Sequence, residues 1–136
     1  MSYASYSSLG KDPKAPPPES MAEIPRITSR DHRQHFLQKY HIVVIDNYTD
    51  WCGPCKSVAP HYAKLAQQYQ NMYPNQVAFV KENVEDNLPP HPDTPPVRGV
   101  PCFHFYMNQK NRSEHTVTGG NIKSVQENLD KLLRSK

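Results

Sequence analysis

Cys52 and Cys55 stand two residues apart in the run Trp51-Cys52-Gly53-Pro54-Cys55-Lys56. A C-x-x-C in a chain with only three cysteines points to redox or metal chemistry rather than to a disulfide scaffold. A structural zinc site needs four ligands. Beyond this pair only Cys102 remains among the cysteines, and the seven histidines, His61 and His104 included, fall at no spacing that addresses them. Redox chemistry is therefore the expectation, with no metal, no cofactor and the histidines as spectators. In that chemistry the thiolate is the nucleophile. At the first turn of a helix, Cys52 would meet unpaired N–H groups and the positive end of the helix dipole, which favour a thiolate. The second sulfur would lie one turn further in, able to close a small disulfide once the first had attacked a substrate. Gly53 lets a partner backbone approach, and Pro54 suits a first-turn position where no N–H is missed.

Such a site needs a buried strand before it and an amphipathic helix after it. His41 to Asn47 is an almost unbroken apolar run rich in Val and Ile, the pattern of an interior strand covered on both faces. After Cys52, residues Val58, Tyr62, Leu65 and Tyr69 recur at spacings of four, three and four, which makes one apolar helical stripe. Gln76 to Asn83 reads as the next strand. Upstream, Ile24 and Ile27 suggest a short strand, and Thr28 with Asp31 three residues later marks a helix start leading into DHRQHFLQKY. Together these predict a β-α-β-α-β unit with right-handed crossovers.

The second half reads differently. Cys102 to Met107 and Glu114 to Thr118, separated by the polar NQKNRS, predict an antiparallel hairpin. Gly119-Gly120-Asn121 then caps a last helix whose Ile122, Val125, Leu129, Leu132 and Leu133 share a stripe. The fold class is α/β, with a mixed central β-sheet flanked by helices. Between the halves, Pro89, Pro90, Pro92, Pro95 and Pro96 exclude a regular helix. Residues 86–98 are expected as an extended, turn-rich loop beside the cysteines, where partner choice is read. Cys102, opening the apolar strand CFHFYM, is expected to be buried and inert as a small hydrophobe.

The chain resembles the thioredoxin family over about residues 25–136. The likeness rests on Asp46 six residues before the first cysteine, WCGPCK at 51–56, Pro60 eight residues after that cysteine, Lys81 on the next strand, and Val100-Pro101 heading the hairpin. It implies a thioredoxin fold and a protein-disulfide reductase in which Cys52 attacks a substrate disulfide and Cys55 resolves the mixed disulfide. It also implies that Asp46 is the buried acid that takes the resolving thiol's proton, with Lys81 beside it. Pro101 would be a cis-proline presenting backbone to the substrate strand, with Val100 before it. Trp51 is equally a packing residue or a substrate contact. The chain departs from the family at Asn47, where Phe is usual, at Cys102, where Thr is usual, at Gln109, where the hairpin usually turns on Gly, and in the proline-rich stretch.

The 136 residues allow one domain and a tail. Residues 1–24 hold four prolines and almost no aliphatic side chains, predicting a flexible extension ahead of a domain at 25–136. Sixteen Lys and Arg against thirteen Asp and Glu leave a charge of +3, with no cluster of four or more basic residues. Neither nucleic acid nor membrane is expected as a partner. No apolar stretch approaches the roughly 20 residues that span a bilayer, and no signal-peptide run is present, so a cytoplasmic protein is expected. Its partners would be disulfide-containing proteins and an NADPH-dependent thioredoxin reductase. The alternatives are a thiol-disulfide oxidoreductase of narrow partner range and a thioredoxin-fold binding module.

Overall fold

The apolar run forms β1 (Ile42–Tyr48), and six of its seven residues are buried. A computed structural model describes residues 23–135; the extension expected over 1–24 lies outside them but for its last two residues. β1 pairs in parallel with β2 (Val77–Asn83) and antiparallel with β3 (Cys102–Met107). The sheet runs β2-β1-β3-β4, with β4 (Lys110–Asn111) and β5 (Val117–Thr118) both on β3. Helices α1 (Arg30–Lys39), α2 (Gly53–Met72) and α3 (Ile122–Ser135) complete it. The mixed α/β architecture is the expected one.

Alternation along β1 divides the core, since successive strand residues face opposite sides. Ile42 and Val44 join Val58, Tyr62, Leu65, Phe79, Phe103, Phe105, Leu129 and Leu132 on the face that α2 and α3 cover. Val43 and Ile45 join Ile27, Leu37, Val80 and Tyr106 on the face that α1 covers. Phe103 is fully buried; truncating such a side chain to Ala costs about 3–5 kcal/mol. The central sheet is thus a rigid platform for whatever stands at the C-terminal end of β1.

Three local expectations are corrected. The strand expected at Ile24 to Ile27 is a single parallel bridge, Arg26 to Lys81, held by Ile27 N–H to the Lys81 carbonyl (2.8 Å) and Lys81 N–H to the Pro25 carbonyl (2.9 Å). Pro25 has no N–H to extend a ladder, and α1 begins too soon after it. The N-cap of α1 is Ser29, not Thr28: the Ser29 hydroxyl accepts from His32 N–H at 2.9 Å, while the Thr28 N–H donates to His32 Nδ1. The hairpin closes earlier than the polar run suggests. Asn108 and Gln109 both take positive φ, 53° and 70°, as a two-residue turn matching strand twist requires. Lys110 and Asn111 therefore pair with β3, Ser113–His115 form a 3-10 turn, and only Val117 and Thr118 of the expected second strand pair.

The proline-rich stretch carries no helix or strand from Asn87 to Pro101, as expected. Its position differs from the expectation. Arg33 donates to the Pro89 carbonyl (2.7 Å), His91 Nε2 to the Gln109 carbonyl (2.7 Å), and the Thr94 and Tyr106 hydroxyls pair at 2.9 Å. The segment is laid across the α1 face of the sheet as far as the β3–β4 turn, and its C-terminal end reaches Cys52, where the Val100 carbonyl lies 3.8 Å from Sγ. The prolines exclude a helix here, and these hydrogen bonds from Arg33, His91 and the Thr94–Tyr106 pair hold the segment in place.

Candidate active site

β1 delivers the chain to Thr49 and Asp50, and the cysteine run follows at once. Cys52 is the N-cap of α2: its backbone is extended (φ −86°, ψ 115°) and its Sγ accepts from the Cys55 N–H at 3.0 Å. Pro54 stands in the first turn, where its missing N–H costs nothing. Cys52 and Cys55 are joined by a disulfide, with Cα atoms 5.2 Å apart. The two sulfurs were expected to differ in exposure, Cys52 at an open edge and Cys55 shielded. In this oxidised state both residues are nearly closed, at 6% and 5%. Their distinction lies in position: Cys52 caps the helix and Cys55 is inside it.

Opposite stands the loop before β3. The Val100–Pro101 peptide is cis, and the Val100 carbonyl oxygen lies 3.8 Å from Cys52 Sγ. Gly119 (φ 98°) donates its N–H to the Pro101 carbonyl at 2.8 Å, an anchor the sequence reading treated only as part of a helix cap. A Cβ on Gly120 would lie 3.7 Å from the Pro54 carbonyl and Val58, whereas above Gly53 nothing lies within 4 Å. A groove lined by Gly53, Pro54, Ser57, Val58, His61 and Gly120 therefore runs beside the disulfide. His61, expected as a spectator, is one of its walls. Trp51 is 71% exposed and donates from Nε1 to a Glu85 carboxylate oxygen at 3.0 Å, so it is no core residue.

On β1, before the cysteine run, Asp46 is 5% exposed, and its Oδ1 has no hydrogen-bond partner among the described residues. By alternation with Ile42 and Val44 it belongs to the β1 face that α2 covers. Burial raises its pKa to about 7, and the Lys81 charge opposes that rise. Lys81 is its neighbour on β2 in the strand register, half-buried, with Nζ 5.5 Å from the centre of the Tyr48 ring.

Asn47 finds its partners on β3. Its amide donates to the Cys102 carbonyl at 2.9 Å and lies 3.3 Å from His104 Nδ1. The carbonyl can only accept, so the amide NH2 must face it, and the same NH2 gives its other hydrogen to Nδ1. His104 is 3% exposed and burial lowers its pKa to about 4, so it is a neutral imidazole with its proton on Nε2. Cys102 is buried and free of any disulfide. Burial raises its thiol pKa, against a Thr118 hydrogen bond that lowers it.

A reducible disulfide capping a helix, faced by a cis-proline loop and preceded by a strand that buries a carboxyl, defines a thiol-disulfide oxidoreductase site on a mixed sheet. The sequence profile of the thioredoxin family, described as "Thioredoxin", matches residues 23–131. Thioredoxin-3 of Dictyostelium discoideum is 31% identical over 110 residues, covering 81% of this chain and 97% of that one. Thioredoxin of Neurospora crassa is 32% identical over 114 residues, covering 82% and 87%. Among solved structures, oxidised mitochondrial thioredoxin 3 of Saccharomyces cerevisiae superposes with a TM-score of 0.67 at 28% identity, over 82% of this chain and 98% of that one. The chain belongs to the thioredoxin family. Its activity is that of a thioredoxin-like protein-disulfide reductase acting on disulfide-containing substrates.

Proposed function

We propose that Cys52 is the attacking sulfur and Cys55 the resolving one. In the dithiol form the Cys52 thiolate attacks one sulfur of a substrate disulfide. A Cys52–substrate bond forms, the substrate bond breaks, and the first substrate thiolate leaves. Cys55 then gives up its proton and attacks Cys52 Sγ, which closes the Cys52–Cys55 disulfide and releases the second substrate thiolate. Two electrons have passed from the protein to the substrate. The observation that carries this reading is that Cys52 Sγ lies between the Cys55 N–H at 3.0 Å and the Val100 carbonyl at 3.8 Å. The helix end stabilises a thiolate, and the loop offers backbone beside it.

Asp46 takes the Cys55 proton in this scheme. A carboxyl with a pKa of about 7 can accept and return a proton near neutrality, and Lys81 keeps its pKa from rising further. Val100 and Pro101 present backbone to a substrate strand, while Gly53, Pro54 and Trp51 form the opposite lip. The oxidised protein is recharged by an NADPH-dependent thioredoxin reductase, and the protein works in the cytoplasm without nucleic acid or membrane. The charge of +3 and its scatter support the lack of a nucleic-acid or membrane-surface partner, and no described helix is long and apolar enough to cross a membrane.

Insulin reduction tests the proposal. Turnover is expected with dithiothreitol, and with thioredoxin reductase and NADPH. Turnover with dithiothreitol alone would favour a dedicated enzyme with another electron donor, and no turnover with either would overturn the reading.

A further inference from the structure

Lys81 acts on Asp46 from a distance. The two are neighbours in the parallel register of β1 and β2, and the ammonium opposes the rise in pKa that burial imposes on the carboxyl. Among the described residues, Lys81 makes no salt bridge. Glu82, the next residue along β2, is bound by Arg33 through Nε and Nη2 at 3.0–3.2 Å. A charge that works through space has a strength set by its distance, and a lysine ammonium rides on a flexible stem. For its effect on Asp46 to be definite, something must hold Lys81 Nζ in place.

The contact that the structure gives it is the ring of Tyr48, whose centre lies 5.5 Å from Nζ, inside the range of a cation–π attraction. Tyr48 stands two residues beyond Asp46 on β1 and is half-buried, so both side chains leave the same face of the strand. We propose that Tyr48 is a positioning residue: its ring holds the Lys81 ammonium at the distance from which it acts on Asp46, and so sets the pH at which that carboxyl changes charge. The other charged and titratable groups around the pair do not supply this function. Arg26 acts on the Tyr48 hydroxyl but is bound by both Asp86 oxygens at 2.9 and 3.0 Å, and Asp50 acts on the same hydroxyl. From α2, Tyr62 feels Asp46 while its hydroxyl donates to the Val44 and Val80 carbonyls; from β3, the buried Cys102 thiol feels it too. Of the groups named, Lys81 alone brings a positive charge not committed to a carboxylate. The consequence for turnover rests on the reading of Asp46 as proton acceptor, whereas the consequence for its titration does not.

The test titrates Asp46 itself, through the 13Cγ resonance of its carboxyl in the full oxidised chain, and then takes the pH-rate profile of insulin reduction. Losing a nearby positive charge disfavours the carboxylate, so Lys81→Met is expected to raise the midpoint. Tyr48→Leu, which keeps an apolar cover but no ring, is expected to raise it by about half a unit or more as the ammonium swings away. Tyr48→Phe, which keeps the ring, should leave the midpoint at the parent's value. Once Lys81→Met is in place, adding Tyr48→Leu should move it no further. A purely packing role predicts the opposite sign, since a truncated ring admits water and a better-hydrated carboxyl titrates lower. In the parent, with no substitution at all, the Tyr48 ring should shift the Lys81 Hε protons upfield. A midpoint that falls or stays in Tyr48→Leu, that rises as much in Tyr48→Phe, or that rises again in the double variant would overturn the proposal, as would Hε protons with no ring-current shift. A midpoint raised in Tyr48→Leu with an unchanged pH-rate profile would uphold it and overturn the proton-acceptor reading of Asp46 instead.

Discussion

The Asn47 amide reaches His104 across the β1–β3 pair at 3.3 Å while holding the Cys102 carbonyl at 2.9 Å. Two departures from the family pattern thus meet: the polar residue after the buried acid and the strand that opens with Cys102. Removing Asn47 would leave a carbonyl and an imidazole nitrogen without their donor, and an unsatisfied buried group costs about 1–3 kcal/mol.

Asn47→Leu is accordingly expected to lower unfolding stability by about 1–3 kcal/mol. His104→Leu removes the same contact, so the double variant should lose less than the sum, with a coupling of at least about 0.5 kcal/mol. Urea unfolding of the four proteins measures this. Strict additivity would show that the two side chains do not interact.

Asp46 sets the pH dependence of stability. Its pKa is raised to about 7 in the folded chain against about 3.9 unfolded. Between those values the folded state holds the proton and the unfolded state does not, so stability falls as pH rises from about 4 to 7. Asp46→Asn should therefore be more stable than the parent by roughly 3–5 kcal/mol above pH 7, with the difference vanishing below pH 4. His104 opposes this slope: its pKa is lowered to about 4, so its contribution is lost as pH falls from about 6.5 to 4. Denaturation midpoints of the parent, Asp46→Asn and His104→Phe across pH 3–9 separate the two.

The same carboxyl governs turnover. Asp46→Ala is expected to keep the fold and still form the disulfide, but to slow insulin reduction mainly below about pH 8, where a thiol of ordinary pKa near 8.5 needs a base. An unchanged pH-rate profile would contradict the proton-acceptor role.

The cysteine run, the buried strand and the amphipathic helix were legible in the sequence because each is a local pattern. Cys52 caps α2 through contacts within four residues, and the Val/Ile run of β1 can be buried only on both faces. What escaped depends on distant partners. The Gly119 N–H holds the Pro101 carbonyl across the β3–β5 pair, and nothing near Gly119 announces it. The course of the proline stretch is set by Arg33, 56 residues before its partner Pro89, and by Tyr106 and Gln109 on the hairpin that follows. His104 looked like a spectator because its relation to Asn47 appears only when Ile45 is paired with His104 in the strand register. The hairpin strand was misplaced because the positive φ of Gln109 is unusual for a side chain of that kind.

Cys102 is expected to be chemically silent. It is buried, its thiol pKa is raised, and attack requires the thiolate. In the native oxidised protein a thiol reagent should label no cysteine quickly, and denaturation should expose one. Cys102→Ser should change insulin turnover by less than about twofold, a loss within the scatter of a neutral buried substitution.

Mixed-disulfide trapping tests the division of labour between the two active-site cysteines most directly. With Cys55→Ser, incubation with a disulfide-containing protein should accumulate a stable covalent complex, and peptide mapping should place its bond at Cys52; with Cys52→Ser no such complex should build up. A complex joined through Cys102, or one that forms equally well when Cys52 is absent, would contradict the account.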